Sequence, residues 1–399
     1  MSKRPVTRRD TLQALGAGAA GLAMPALALG QTGPVRIGYA IARTGPWAAG
    51  AQVTQEPNYL LWAEQQNAAG GLEVKGVRRR IELIGLDDRS EIETCIRSYE
   101  KLMGSDKVDL ILPPWGSNAN FALAPLANRF GYPMLAPTAL SRKLVDMQLP
   151  HFFATLQQPD RMMNALVDML VANDVKTIAI LYMDDLFGLE NFAALNSALK
   201  KTKIQVVERK GYPLGVKDLS QVLRTIKDQS PDAFIGITYP PDTILASKQA
   251  KEIGFNPKLF YASVGTAFQL YRNVIGAGAE GVTGMGSWNA KTSPAAKAYF
   301  QAHTAKFGKE PDRWASGHCW AGLEIMTQAA AKVGLDRKAM RDYIARNEHP
   351  TIIGPIRFEG SENVATPGSV GQWQNGEFEV VWPRSIATAS LVTPKPAWK

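Results

Sequence analysis

The sequence contains few of the residues from which reactive centres are built. Among 399 residues there are two cysteines and four histidines. No two histidines have the i, i+4 spacing of a helical zinc site, and there is no Cys-x-x-Cys. No Gly-x-Ser-x-Gly segment marks a hydrolase nucleophile. We therefore expect no metal, no cofactor and no enzymatic activity.

Long apolar runs, and basic clusters interleaved with aromatic residues, are also missing. After the first thirty residues, no stretch approaches the roughly 20 uncharged apolar residues of a membrane span. The formal net charge is +9, but no Lys/Arg cluster is interleaved with aromatic residues, which argues against nucleic acid as a partner. A mildly basic surface suits an anionic ligand slightly better than a cationic one.

Two glycine-rich segments have the dinucleotide-binding spacing Gly-x-Gly-x-x-Gly. One, Gly16–Gly21, lies in the N-terminal leader, and the other, Gly276–Gly281, precedes a predicted strand instead of following one. Neither can place a pyrophosphate on a helix N-terminus, as that motif requires. A nicotinamide cofactor is therefore not expected.

The first thirty residues have the pattern of an export signal. A basic region, Lys3 to Arg9, precedes an apolar segment diluted by glycine, and a small-residue cleavage site lies near Ala28 to Gly30. Arg8-Arg9 is close to the twin-arginine pattern, although an ordinary secretory signal remains the alternative. We expect the mature chain in the periplasm.

The next segment predicts a parallel βαβ unit. Val35 to Ile41 is a short apolar run rich in β-branched residues, as a buried strand requires. A helix is predicted from about Gly50 to Ala69, and glycines follow it. Ile81 to Leu86 is the second strand, and the turn Asp87-Asp88 after it can cap the next helix. The length of this unit suits a right-handed crossover.

Strand and helix patterns continue to alternate, which predicts parallel sheets covered by helices on both faces. The predicted strands are 110–112, 133–136, 177–182, 204–209, 233–238, 259–261 and 281–285, and residues 372–381 predict a hairpin around Asn375-Gly376. So many strands in about 369 mature residues suit two α/β lobes better than one sheet. Ligands of such sheets bind beyond the carboxyl ends of the strands.

Several segments, in this order, resemble the branched-chain amino-acid (Leu/Ile/Val) type of periplasmic substrate-binding protein of ABC transporters. They are Thr44-Gly45-Pro46-Trp47, Asn67–Gly71, Asp87-Asp88, Tyr132–Pro137, Asp184–Gly188, Ala250–Phe255, Phe307–Asp312 and Gly354–Phe358. The resemblance covers almost all of the chain after residue 33. It implies a receptor that binds a small molecule and docks on membrane permease and ATPase subunits.

The resemblance also implies the type I periplasmic-binding-protein fold, in which two Rossmann-like three-layer lobes are joined by a three-segment hinge. The chain would cross between lobes near residues 153, 284 and 354. The N-terminal lobe would then hold residues 31–153 and 285–354, and the C-terminal lobe residues 154–284 and 355–399. We expect a monomer. A sensory module that presents the same closure to a signalling receptor is the alternative.

The first-lobe ligand residues implied by the resemblance lie in two loops. Trp115, Gly116 and Ser117 lead into a helix whose N-terminus suits a ligand carboxylate, and Ser117 falls on the family's carboxylate-binding serine. The alternative is that Ser117 only caps the helix, and the two roles can coexist. Thr138 and Leu140 lie in the next loop, where amino-acid binders have a threonine near the position of Leu140.

In the second lobe, Phe187 and Tyr239 fall where relatives close aromatic side chains over the ligand. Ser263 falls close to the glutamate that pairs with a ligand ammonium. Without that glutamate, burying an ammonium would be unfavourable by several kcal/mol. Trp47, Trp115 and Trp288 offer flat apolar walls. We therefore expect an aromatic or short-chain organic acid, with an amide or urea-like compound next and a branched-chain amino acid third.

The two cysteines, Cys95 and Cys319, each lie in a predicted helix, far apart in sequence. Some members of the family have a disulfide near the ligand loop, but here Ser90 and Trp115 lie near its expected ends. We predict two buried thiols that are not bonded to each other.

Overall fold

The computed structural model describes residues 33–399. The predicted export signal, its twin-arginine pattern and its cleavage site lie outside these residues. Within them, no helix is both long and apolar enough to cross a membrane.

In chain order, the strands β1 to β17 are Val35–Ile41, Leu72–Val74, Val77–Arg79, Ile81–Asp87, Leu110–Ile111, Met134–Ala136, Phe152–Ala154, Thr177–Met183, Gln205–Tyr212, Ala233–Ile237, Leu259–Ala262, Thr283–Met285, Glu348–His349, Ile356–Glu359, Glu362–Asn363, Val370–Gln374 and Glu377–Trp382. The nine predicted strands and the predicted hairpin are present, whereas the short strands β2, β3, β7, β13, β14 and β15 were not predicted.

The helices cover the sheets and join successive parallel strands. In chain order, α1 to α13 are Ala48–Thr54, Glu56–Ala68, Ile92–Glu100, Ser117–Phe130, Arg142–Asp146, Pro159–Ala172, Leu186–Leu199, Ser220–Asp228, Pro240–Glu252, Gln269–Ile275, Pro294–Phe307, Ala315–Val333 and Arg337–Arg346. Lys101–Ser105 continues α3 as a π-helical turn, and Gly276–Ala279 is a 3-10 turn.

The fold has the two expected α/β lobes. The first lobe contains a sheet of order β4-β1-β5 and a sheet of order β13-β14-β15-β7-β6, which share a buried core built on β1, β5, β6 and β7. The second lobe contains a seven-stranded sheet of order β17-β16-β12-β11-β10-β8-β9. β8 to β12 run parallel in it, whereas β16 and β17 form its antiparallel edge.

The chain changes sheets three times. The first two changes follow Ala154 and Met285. β14 and β15, which follow Gly354, pair with β7 of the first lobe. The alternate residues Ile356 and Phe358 are buried there, which holds this hairpin in the first lobe. The third change of sheet therefore follows Asn363, and the predicted bounds of the two lobes stay predictions.

The helix predicted from Gly50 to Ala69 is in fact two helices. Pro57 has no N–H and cannot lie inside a helix without losing a hydrogen bond, so it stands in the first turn of α2 instead. The backbone turns at Gln55, whose φ of −122° is not helical. The break places the Gln55 side chain among the ligand loops.

Three smaller predictions have different outcomes. Asn375 and Gly376 both have positive φ and form the hairpin turn between β16 and β17, as predicted. Cys95 and Cys319 are buried free thiols, also as predicted. Asp88 does not cap α3; Glu91 holds the cap position, and Asp88 instead accepts a bond from the Ser90 N–H at 2.8 Å.

Candidate functional site

The start of α4 has no side-chain cap among the residues that the structure describes, so its first N–H groups are left without one inside the first lobe. Its N-cap is Gly116, which has no side chain to bond the N–H groups of the first turn. Gly116 has φ 86°, a conformation that a residue with a side chain adopts only with strain. Ser117 is 1% exposed. Its hydroxyl oxygen accepts from the Leu140 N–H at 3.0 Å, which leaves its own hydrogen for a further acceptor.

The Thr138 hydroxyl is used within the protein. It accepts from the Gly116 N–H at 3.0 Å and donates to Gln55 Oε1 at 2.8 Å. Gln55, which is fully buried, donates in turn to the carbonyl of Pro113 at 3.1 Å. Thr138 and Gln55 thus shape the two loops around Ser117. Gln55 was not among the predicted site residues. Its position two residues before Pro57, where a helix has to break, is the sequence feature that could have indicated it.

Aromatic side chains from both lobes pack together beside this helix start. The Trp115 ring lies 5.6 Å from the Tyr239 ring, and the Phe187 ring stacks on Tyr239 at 5.0 Å. The Trp115 indole N–H donates to Thr54 at 2.9 Å, which fixes the ring. A Cβ on Gly50 would lie 2.3 Å from this ring, so the glycine permits the close packing. The structure therefore brings together Trp115, Phe187 and Tyr239.

The other two predicted tryptophans differ from each other. Trp47 is 8% exposed, its backbone N–H donates to Ser90 at 3.1 Å, and its indole nitrogen is buried with no partner among the described residues. Trp288 is fully buried and packs against Tyr299 and Phe300, with ring centroids 5.4 and 6.5 Å away. Trp288 thus packs in the core and does not join the aromatic group.

Ser263 is also fully engaged. Its hydroxyl accepts from the Thr238 N–H at 2.8 Å and donates to the Thr238 carbonyl at 3.1 Å, which ties the ends of β10 and β11 together. The residue is completely buried. Ser263 therefore supplies neither a charge nor a free hydroxyl to a ligand.

A carboxylate at the start of α7 in the second lobe reaches a side chain of the first lobe. Asp185 caps α7, since its Oδ1 accepts from the Gly188 N–H at 2.9 Å. Its Oδ2 accepts from the Tyr239 hydroxyl at 2.7 Å and from Asn118 Nδ2 of the first lobe at 2.9 Å. Burial and the nearby Asp185 carboxylate raise the pKa of Tyr239 well above its ordinary value, so this hydroxyl remains a donor.

A second contact between the lobes involves Glu190 on α7. Its Oε2 accepts from the backbone N–H of Arg142 at 2.9 Å, at the first turn of α5 in the first lobe. The N-cap residue of α5 itself, Ser141, is buried and its hydroxyl has no partner among the described residues. In this arrangement a side chain of one lobe thus caps a helix of the other. Such a carboxylate is favourable at the positive end of a helix dipole.

The three crossing segments meet at His318 of α12. His318 Nδ1 lies 3.0 Å from the carbonyl of Thr155 in the first segment, and Nε2 lies 3.0 Å from the Ser287 hydroxyl in the second. Asn363, at the third, donates to the same Thr155 carbonyl at 2.8 Å. Because a carbonyl only accepts, Nδ1 carries the proton. Burial lowers the pKa of His318 to about 4, so the ring is neutral at physiological pH.

Comparisons with known proteins agree with this architecture. A family model described as periplasmic binding protein matches residues 34–377. Leu/Ile/Val-binding protein homolog 8 of Brucella abortus (strain 2308) is 24% identical over 357 residues, which cover 83% of this chain and 86% of that protein.

Solved structures with this fold bind different ligands. The leucine binding protein LivK from Thermotoga maritima has a TM-score of 0.77 and 20% identity, covering 87% of this chain and 97% of that one. An ABC-transporter solute binding protein from R. palustris, in complex with benzoate, has a TM-score of 0.79 and 16% identity, covering 92% and 97%. At these identities the likeness shows the fold alone.

Proposed function

Since the chain belongs to the periplasmic binding protein family, we propose that it is the solute receptor of an ABC importer and closes its two lobes on a small carboxylate-bearing ligand. The observation that carries this proposal is the start of α4 at Gly116 and Ser117, which is buried, has no side-chain cap and directly follows Trp115, whose ring packs on Tyr239. Unpaired N–H groups at a helix N-terminus favour an anion. The proposed setting is the periplasm, with a membrane permease and its ATPase as partners.

The first ligand candidate is an aromatic or short-chain organic acid. Trp115, Tyr239 and Phe187 supply flat apolar surface, which suits a ring. Ser263 supplies no charge for an ammonium group. The benzoate complex of the R. palustris protein is a precedent for such a ligand on this fold.

An amino acid is the second candidate, and Asp185 is the observation that favours it. Without the glutamate near Ser263, a zwitterion is a poor ligand only if no other carboxylate enters the cleft. Asp185 does so, next to Tyr239 and Asn118. The leucine binding protein with the same fold is the precedent in this case.

Calorimetry with purified protein tests the proposal. Benzoate, cinnamate and leucine are titrated in turn, and we expect saturable binding of at least one of the two aromatic acids. Ser117→Ala should weaken that binding, because it removes the hydroxyl hydrogen aimed at the carboxylate, whereas Ser98→Ala on the surface of α3 is the matched control. Binding of leucine alone would reject the first ligand candidate. If all three fail to bind, a small carboxylate ligand is itself refuted.

A further inference from the structure

Asp185 is an acidic group without a cationic neighbour at the meeting point of the lobes. Its three hydrogen-bond donors are Gly188 N–H, the Tyr239 hydroxyl and the Asn118 amide, and all three are neutral. No ion pair to it occurs in residues 33–399. A carboxylate has about four positions at which it can accept a hydrogen bond, so one remains open.

The position of Asp185 relates it directly to the proposed carboxylate site. Asn118, which it binds, follows Ser117 in the first turn of α4, and Tyr239, which it also binds, packs on Trp115. A ligand held at Ser117 would therefore have its carboxylate at the helix start. Asp185 would lie close to it, since it bonds the side chain of the next residue, Asn118. A second acidic group beside a bound anion is unfavourable unless the ligand also brings a donor to it.

We propose that Asp185 accepts a hydrogen bond from a donor group of the ligand, and so selects carboxylic acids that carry a hydroxyl or ammonium group over the same acids without one. The inference rests on the proposed function, since it presumes a carboxylate ligand between the lobes. Asp185 thus accepts the hydrogen bond that Ser263 cannot accept, because the Ser263 hydroxyl is uncharged and bonded to Thr238.

Two ligand pairs that each differ by one donor test the inference. Benzoate is compared with 4-hydroxybenzoate, and 4-methylpentanoate with leucine, by calorimetry on the wild-type protein. We expect the donor-bearing member of at least one pair to bind about ten-fold more tightly, as a hydrogen bond to a charged group implies. The pair that responds identifies the donor as a hydroxyl or an ammonium group.

The same pairs are then measured with Asp185→Asn, which keeps a residue that caps helices well. The preference within the responding pair should fall to about two-fold or less, whereas Asp184→Asn, the same change at the exposed neighbouring residue, should preserve it. Asp185→Ser provides a second cap-preserving variant. Any general weakening of closure affects both members of a pair and cancels in their ratio.

The outcomes separate this inference from the proposed function. If benzoate or 4-methylpentanoate binds but neither pair shows a preference, the inference is wrong and the carboxylate receptor stands. A preference that survives both Asp185 variants also overturns the inference. If neither cinnamate nor any of the four acids binds the wild type, the proposed ligand class fails, and the inference fails with it.

Discussion

The cap that Glu190 places on α5 predicts a measurable effect on lobe closure. Glu190→Ala removes the bond to the Arg142 N–H at 2.9 Å, a longer one to the Lys143 N–H at 3.4 Å, and an ion pair to Lys143 Nζ at 3.8 Å. A hydrogen bond to a charged group contributes ~1.5–3 kcal/mol. The ion pair adds little, because the Lys143 side chain is 65% exposed and solvent screens it.

The expected net loss is about 2 kcal/mol of closed-state stability, which is about a thirty-fold change in the closed-to-open ratio. The fold itself should lose much less. When the lobes separate, the unpaired Ser141 hydroxyl is free to cap α5, because serine at the N-cap is among the preferred residues. Glu190→Gln keeps an acceptor oxygen without the charge and should show a smaller shift.

Spin-label distance measurements on ligand-free protein test this prediction. Labels at Leu60→Cys in the first lobe and Val171→Cys in the second lie on exposed positions. The native thiols are buried, so they should remain unlabelled. Glu190→Ala should move the distance distribution toward longer separations. An unchanged distribution, or a loss of melting temperature without any change in distance, would refute the reasoning.

Three further predictions follow from the packing. Gly50→Ala should lower the free energy of unfolding by about 1–3 kcal/mol in a denaturant titration, because the new Cβ collides with Trp115, whereas Gly104→Ala meets only ordinary contacts and should be nearly neutral. The folded-state pKa of His318, about 4, lies below the ordinary 6.5, so the stabilisation from its neutral ring is complete above pH 6.5 and is lost as the pH falls toward 4. The melting temperature of His318→Gln should therefore depend less on pH between 4 and 6.5 than that of the wild type. The same pH dependence in both proteins would reject this stabilising role of His318. A thiol reagent should modify Cys95 and Cys319 only in denaturant, because burial raises the pKa of both thiols; rapid reaction of the native protein would contradict their burial.

Much of the fold could be predicted from the sequence because its signals are local. Val35 to Ile41 forms a strand for reasons contained in those seven residues, and the Asn375-Gly376 turn adopts the positive φ angles that these residue types tolerate. The break between α1 and α2 at Gln55 has an equally local cause, because Pro57 cannot lie inside a helix without losing a hydrogen bond. The prediction of one long helix gave too little weight to the missing N–H of that proline.

The site was harder to predict because its chemistry depends on contacts between distant residues. Thr138 was a candidate ligand group until its partners, Gln55 and Gly116, were known. The same holds for Ser263, whose hydroxyl is used by Thr238. Asp185 caps α7 through its own first turn, but its bond to Asn118 joins residues 67 positions apart. No periodicity in a single sequence encodes such a pair.

The meeting of three crossing segments at His318 has a consequence for how the lobes can move. The Thr155 carbonyl of the first segment accepts from Asn363 of the third segment and from His318. The other ring nitrogen of His318 bonds Ser287 of the second segment. Bending any one segment alone would break a hydrogen bond that is buried or partly buried, which is more unfavourable than turning all three together. If the lobes open as proposed, the three segments should therefore turn together, and one inter-lobe distance would describe the motion.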